Sequence, residues 1–249
     1  MKFISHILSE LLSEFLFLRN GSCPVCGKVL FAGNDFLCPE CAGRKPFNSG
    51  PVCDSCGRAL TDAEKRTCQH CRQAKIKFDS GFCLFHYQAE SKAMITALKF
   101  KNRPALGTYL GEEMAKELKA LPWISQVDLI IPIPIHPERR KERGYNQSEK
   151  IADGILSGLG QKCSFSSVNK NLYRSHNNPH QIGQSLKKRQ ENMLGVFDLH
   201  DPAAVFDMNI LLVDDVMTTG ATLFEAAATL KEAGAGKIFV AVVAGLDDH

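Results

Sequence analysis

The chain has 249 residues, of which 44% are apolar and 23% are charged, and its formal net charge is +3. These values are typical of a folded soluble protein and exclude collagen-like, coiled-coil and largely disordered chains. The charge is uneven, because nine acidic residues and only two basic ones occur from Asp198 onward. The basic remainder predicts a phosphate-rich ligand or a polyanionic partner, unless it is only a solvated surface.

Residues 1–20 have apolar positions at helical spacing, interrupted by polar residues such as Ser5, Ser9 and Glu10. A secretory signal would need a continuous apolar stretch and a cleavage site, and neither is found. No run of about eighteen apolar residues occurs, so no transmembrane segment is predicted. We therefore expect an amphipathic N-terminal helix and a cytoplasmic protein, which could lie near the inner face of the cell membrane.

Residues 21–77 contain four C-x-x-C pairs that begin every fifteen residues. Two such pairs supply the four thiolates of a tetrahedral Zn²⁺ site. The spacing favours two consecutive zinc ribbons with one structural Zn²⁺ each, although crossed pairing stays open. Redox motifs usually occur singly, and an iron–sulfur cluster is the main alternative. The predicted ligands are Cys23, Cys26, Cys38, Cys41, Cys53, Cys56, Cys68 and Cys71.

The ribbons carry nine Lys or Arg residues against five acidic ones. This excess is compatible with nucleic-acid contact, and equally with a structural or protein-docking role. Cys83 and Cys163 lie outside the repeat and are interpreted as buried small apolar residues rather than nucleophiles.

From residue 78 to residue 249, apolar strands alternate with helices, which indicates a parallel sheet covered on both faces. The predicted strands are 81–87, 127–134, 209–215 and 237–243, and the predicted helices are 90–99, 105–121, 149–159 and 223–233.

The strand at 209–215 ends in Asp214 and Asp215, and a short loop rich in Thr and Gly then opens a helix. Ligands bind at this edge of an open parallel sheet, and the free N–H groups of such a loop attract a phosphate. The adjacent carboxylates can accept hydrogen bonds from a sugar diol. The pattern predicts a ribose 5-phosphate site, whereas a P-loop ATPase is disfavoured because the G-x-x-x-x-G-K-[ST] motif is missing.

The segment from Val213 to Thr222 resembles the PRPP-binding signature of type I phosphoribosyltransferases. The motifs Leu98-Lys99-Phe100, Pro132-Ile133-Pro134, Arg143-Gly144-Tyr145-Asn146-Gln147 and Gln181-Ile182-Gly183-Gln184 are similar to those of the ComF family. The resemblance implies a type I phosphoribosyltransferase fold behind a cysteine-rich module, and thus three regions: 1–20, 21–77 and 78–249.

The resemblance also implies roles for particular residues. Asp214 and Asp215 would bind the ribose hydroxyls of PRPP, and one Mg²⁺ would bridge its pyrophosphate and ribose oxygens. The loop after Pro134 would face the pyrophosphate, with Arg140 and Lys141 equally compatible with a basic helix face. The 5-phosphate residues would be Met217, Thr218, Thr219, Gly220, Ala221 and Thr222. The pyrophosphate residues would be Ile135, His136, Arg139, Arg143 and Asn146.

Residues 170–192 resemble the loop that closes over PRPP, with Gln181 and Arg189 as its candidate contacts. His176 and His180 are conceivable acid–base groups, but a solvated role is favoured for both.

Three functions fit these patterns. The favoured one is a ComF-type protein of DNA uptake that binds PRPP and handles single-stranded DNA, with other DNA-uptake proteins as partners. Its enzymatic form would be a Mg²⁺-dependent phosphoribosyltransferase of unknown acceptor. The alternatives are a non-catalytic PRPP-sensing DNA-binding regulator and a relative that acts in purine or gluconate-linked metabolism.

Overall fold

The computed structural model describes residues 21–30, 36–160, 170–175 and 195–247. The predicted N-terminal helix over residues 1–20 lies outside these ranges. Within them, no helix is long and apolar enough to cross a membrane.

The described residues form seven α-helices, six strands and two short 3-10 helices. The α-helices are α1 Pro39–Gly43, α2 Gln69–Gln73, α3 Ala89–Phe100, α4 Pro104–Leu118, α5 Pro137–Arg143, α6 Gln147–Leu159 and α7 Ala221–Glu232. The strands are β1 Ser80–His86, β2 Leu129–Pro132, β3 Leu172–Arg174, β4 Phe197–Leu199, β5 Ile210–Met217 and β6 Ile238–Gly245. The 3-10 helices are Ile124–Gln126 and Pro202–Val205.

Two similar units precede the main sheet. Each begins with a small antiparallel turn, closed by the bridge Ser22–Val29 in the first unit and Val52–Ala59 in the second. Each ends in a one-turn helix, α1 or α2. The knuckle glycines Gly27 and Gly57 have φ values of 77° and 73°, a left-handed conformation that favours glycine. We call these units ribbon 1 (residues 21–30 and 36–45 as described) and ribbon 2 (residues 51–74).

The main sheet is parallel, with strand order β1-β6-β5-β2. Its strands are almost continuously apolar, and all eight residues of β6 are buried. This is the pattern of a sheet that is covered on both faces. The four strands and four helices predicted in this region are confirmed, with boundaries shifted by a few residues.

The two ribbons cover opposite faces of this sheet. Buried residues of ribbon 1 pack in one core with α3, α4, α6 and the β5 side chains of Leu211 and Val213. Buried residues of ribbon 2 pack in the other core with α7 and the β5 side chains of Ile210 and Leu212. Each cysteine unit is therefore part of one layer of the fold.

Helices α4 and α6 pack at very close range through glycines. A Cβ atom added to Gly111 would lie 2.0 Å from the carbonyl oxygen of Ile151, and one added to Gly154 would lie 2.0 Å from that of Thr108. The two backbones touch because both positions lack a side chain. This contact fixes the position of α6, whose first turn reaches the end of β5.

Helix α5 and strands β3 and β4 were not among the predicted helices and strands, although a basic helix face was an open alternative for Arg140 and Lys141. The polar stretch after Ile135 forms helix α5, which begins at Pro137 and ends before Gly144, where φ is 83°. Strands β3 and β4 pair antiparallel as a separate two-stranded sheet. All three elements are too short for periodicity to indicate them.

Candidate functional site

The eight predicted zinc ligands form two four-cysteine clusters with sequential pairing. One cluster holds Cys23, Cys26, Cys38 and Cys41, and the other holds Cys53, Cys56, Cys68 and Cys71. In each cluster the sulfur atoms all lie within 4.8 Å of one another. The favoured pairing is confirmed, and the crossed arrangement does not occur.

The sulfur positions suit a tetrahedral zinc ion. The Sγ atoms of Cys26 and Cys38 are 3.5 Å apart, and those of Cys56 and Cys68 are 3.7 Å apart. Zn–S bonds of about 2.3 Å in a tetrahedron put two sulfurs about 3.8 Å apart. The hydrogen bond between the thiols of Cys53 and Cys56 lowers the pKa of Cys53 and raises that of Cys56. Zinc would displace the remaining protons.

The two clusters differ in their surroundings. Cys26 of ribbon 1 is exposed, whereas all four cysteines of ribbon 2 are buried. The fully buried guanidinium of Arg58 lies beside ribbon 2's cluster. Burial lowers the pKa of Arg58, but the neighbouring sulfurs of Cys56 and Cys68 raise it by more. Arg58 also donates to the carbonyl of Leu246, just after β6, at 3.3 Å. Ribbon 2 is therefore tied directly to the sheet.

The predicted carboxylates lie at the C-terminal end of β5, and both are buried, with exposures of 8% for Asp214 and 3% for Asp215. Oδ1 of Asp214 accepts hydrogen bonds from the Ser148 hydroxyl and from the Asp215 amide, each at 2.9 Å. Oδ2 of Asp215 lies 2.9 Å from the ammonium of Lys99, at the end of α3. Side chains from two helices thus hold the pair at the sheet edge.

Burial and the neighbouring Asp215 charge raise the pKa of Asp214 to about 7, against an ordinary value of 3.8. Lys99 and the hydrogen bond from Ser148 act in the opposite direction. The folded chain therefore prefers the neutral carboxyl, and this preference stabilises it below pH 4 but is lost as pH rises toward 7.

Asp214→Asn should therefore stabilise the ligand-free chain at high pH. We expect its free energy of unfolding to exceed that of the wild type by an amount that grows from pH 5 to pH 8, up to about 4 kcal/mol. Urea denaturation of both proteins at several pH values measures the difference in their free energies of unfolding. The contribution of the zinc sites is the same in both proteins and drops out of that difference. A difference independent of pH would contradict the raised pKa.

The loop after β5 leads directly into helix α7. Gly220 precedes α7 with φ of 84°, and the Thr219 hydroxyl accepts from the Ala221 amide at 3.3 Å. The side chain of Met217 is buried in the core, so this residue can offer a ligand only its backbone. The Thr218 and Thr222 side chains are half-buried at the surface of the loop.

The predicted pyrophosphate loop is instead helix α5 and the turn after it. His136 caps this helix, since its Nδ1 accepts from the Glu138 amide at 3.3 Å. Asn146 caps α6 and donates to the Ile133 carbonyl at 3.0 Å. Ile135 is half-buried between β2 and the helix. His136 and Asn146 therefore have structural roles that the motif alone did not reveal.

The basic residues of α5 divide into two groups. Arg140 pairs with both carboxylate oxygens of Glu149, so its charge is neutralised within the fold. A cavity of about 840 Å³ lies beside the remaining basic side chains. Four cationic residues and one acidic residue line it. The lining residues are Lys99, Phe100, Asn102, Arg139, Lys141, Glu142, Arg143 and Gly144.

Lys99 connects this cavity to the carboxylates, because it lines the cavity and contacts Asp215. The structure thus brings Asp214, Asp215, Arg139 and Arg143 to one region. Lys99 and Ser148 were not predicted as site residues. The sequence signal for Lys99 was its place in the Leu98-Lys99-Phe100 motif. The signal for Ser148 was its position directly after the motif that ends at Gln147.

Several predicted residues lie outside the described ranges. These are Gln181 and Arg189, His176 and His180, and Cys163. Cys83 is described, and it is buried with its thiol donating to the Phe85 carbonyl at 3.2 Å. Burial raises its pKa to about 12, which agrees with the expected inert role.

Family comparisons agree with this geometry. Residues 144–248 match the phosphoribosyl transferase domain, and residues 12–72 match the double zinc ribbon domain. The fold and the cysteine clusters thus define a phosphoribosyl transferase domain protein with two N-terminal zinc ribbons.

Curated relatives extend the likeness to most of the chain. It is 28% identical to competence protein F of Haemophilus influenzae over 89% of this chain and 95% of the relative. It is 27% identical to competence protein ComFC of Bacillus subtilis, with 82% of each chain covered. DNA utilization protein YhgH of Salmonella typhimurium is 26% identical, with 88% and 95% covered. The resemblance to the ComF family seen in the motifs thus extends, as a similarity to these relatives, over most of the chain.

Proposed function

We propose that this chain binds PRPP at the C-terminal edge of its sheet and handles single-stranded DNA during DNA uptake in the cytoplasm. In this proposal, residues 78–249 form the phosphoribosyltransferase domain, residues 21–77 are a zinc-held module packed on it, and residues 1–20 precede both. The observation that carries the proposal is the buried pair Asp214 and Asp215 next to a cationic cavity. The names of the relatives support the DNA-uptake role.

The ribose hydroxyls of PRPP would donate to the two carboxylates. Lys99 would exchange its contact with Asp215 for the pyrophosphate, together with Arg139 and Arg143 in the cavity. Backbone amides of residues 218–222 would receive the 5-phosphate at the start of α7, where the Ala221 amide would exchange its hydrogen bond to the Thr219 hydroxyl for the phosphate. Each anionic group of PRPP would then meet donors or positive charge, and each hydroxyl an acceptor.

Mg²⁺ would arrive with PRPP, and it would neutralise charge on the pyrophosphate oxygens. If the chain transfers the phosphoribosyl group, the bond from C1 to the pyrophosphate breaks and an acceptor forms the new bond at C1. The cations of the cavity would stabilise the charge that develops on the leaving group. A non-catalytic PRPP sensor would use the same contacts without transfer.

The test of PRPP binding is calorimetry with Mg²⁺ at pH 8, where Asp214 is ionised. We expect Asp214→Asn and Asp215→Asn each to weaken PRPP binding at least about tenfold, since each loses a charge-assisted hydrogen bond. Asp207→Asn, an exposed change just before β5 at the opposite edge of the sheet, is the matched control. Unchanged affinity in both variants would refute the ribose assignment.

A second assay distinguishes an enzyme from a non-catalytic sensor. It measures pyrophosphate release from PRPP with a panel of bases, with and without DNA.

For DNA, the cavity is a better candidate than the ribbons. Four of the nine basic residues in the ribbon region are paired with acidic side chains, and Arg58 is buried. Arg139 and Lys141 line an open cavity instead. The paired residues are Lys28, Lys45, Lys65 and Arg66.

Binding of an oligo-dT strand should therefore weaken with salt. We expect Lys141→Gln to lower the affinity and to reduce the slope of log K against log salt by about 0.7, the value for one contact on a single strand. Lys92→Gln, an exposed change on α3, is the control. An identical slope in the wild type and Lys141→Gln would remove Lys141 from the DNA contact.

A further inference from the structure

Phe100, the last residue of α3, is the most exposed large apolar side chain among the described residues, at 74%. Leu98, two residues earlier in the same helix, is fully buried, so the end of the helix is packed in the core while the ring of Phe100 is exposed. Isolated apolar side chains on a surface are common and by themselves mean nothing. The surroundings of this ring are what distinguish it.

The ring lines the cationic cavity together with Lys99, Arg139 and Lys141. The guanidinium carbon of Arg143 lies 5.6 Å from the centroid of the ring, within the range of a cation–π contact. The site therefore offers an exposed aromatic surface and several positive charges within one cavity. That pairing suits a ligand with a planar aromatic part and a phosphate.

A second exposed phenylalanine provides the contrast. Phe206 is 67% exposed and lies in the segment just before β5. Its ring packs beside Gly234, which follows the end of α7. It is therefore at the N-terminal edge of the parallel sheet, away from Asp214 and Asp215. Its exposure is similar to that of Phe100, but its place in the fold is different.

We propose that Phe100 stacks against a nucleobase of single-stranded DNA, while Lys141 contacts a phosphate next to that base. Bases of a single strand expose their faces, and their stacking on aromatic side chains is strong and tolerant of sequence. The inference rests on the DNA-handling part of the proposed function. It does not require that PRPP binds.

The experiment compares two labelled strands of equal length by fluorescence anisotropy, oligo-dT and an abasic strand with the same phosphates. We expect Phe100→Leu to weaken oligo-dT binding about tenfold and to leave binding of the abasic strand unchanged. Phe206→Leu should change neither. Equal loss for both strands, or no loss for oligo-dT, would overturn the stacking role.

A tryptophan variant gives an independent signal. Phe100→Trp should keep oligo-dT binding within about threefold of the wild type, and stacked bases should quench the fluorescence of the new indole. The native Trp123 is 8% exposed and stacked on Phe239, so the wild type should show little quenching. Quenching by thymidine monophosphate but not by oligo-dT would overturn the assignment to a strand. PRPP calorimetry of Asp214→Asn, described above, reports separately on the ribose site.

Discussion

Replacing Cys56 with serine should unfold the sheet as well as the ribbon that carries this cysteine. Ribbon 2 covers one face of the sheet together with α7, and Cys56 is completely buried in that core. A structural zinc site contributes about 10 kcal/mol to the folding of small zinc domains, which is comparable with the whole stability of a typical domain. We therefore expect no cooperative thermal transition in Cys56→Ser, measured by circular dichroism.

The matched control is Cys26→Ser in ribbon 1. Cys26 is the one exposed ligand of the two clusters. Its ribbon also contacts helix α4 through the ion pair of Lys45 with Glu113 and the stacked rings of Phe36 and Tyr109. We expect this variant to lose one zinc ion in metal analysis and to keep a cooperative transition. A folded Cys56→Ser protein with a normal melting temperature would show that ribbon 2 is only an attachment.

Gly111→Ala should destabilise the chain even though alanine is the better helix former. The new methyl group would meet the Ile151 carbonyl at 2.0 Å and the Ile155 amide at 2.8 Å, and neither backbone group can move alone. Helices α4 and α6 must then separate. We expect a loss of about 1–3 kcal/mol in urea denaturation, as in other overpacked cores.

The same separation would shift Ser148, in the first turn of α6, away from Asp214. PRPP affinity should therefore fall along with stability. Gly43→Ala is the control, because it also lies in a helix and an added methyl group there would meet nothing within 4 Å. Equal stability of Gly111→Ala and the wild type would mean that the two helices can adjust freely.

The sequence predicted the parts of the site that are local. The fifteen-residue cysteine period predicted the eight zinc ligands, because each C-x-x-C pair is local in the chain, and it favoured their sequential grouping. The strand that carries Asp214 and Asp215 was predictable because a short, continuously apolar run before a loop rich in Thr and Gly indicates a buried strand of a parallel sheet. Which two C-x-x-C pairs share one zinc ion stayed open, since equal spacing fits both the sequential and the crossed arrangement.

The rest depends on contacts between distant segments. Ser148 meets Asp214 across 66 positions, and Lys99 meets Asp215 from another helix. No periodicity reports such contacts. His136, Arg139 and Arg140 lie close together in one basic stretch of the sequence. Only the fold shows that Arg139 lines the cavity, whereas His136 caps α5 and Arg140 is neutralised by a carboxylate. The placement of the ribbons on opposite faces was equally invisible, because each ribbon's outward apolar residues are few.

The order of the strands has a consequence for synthesis of the protein. Strand β1 pairs with β6, so the first strand of the sheet finds its neighbour in the last one. The cysteine ligands all precede β1 in the chain. During translation, the nascent chain can bind zinc in its ribbons before β6 has been made, but β1 has no partner until β6 emerges from the ribosome. Metal capture can therefore precede closure of the sheet.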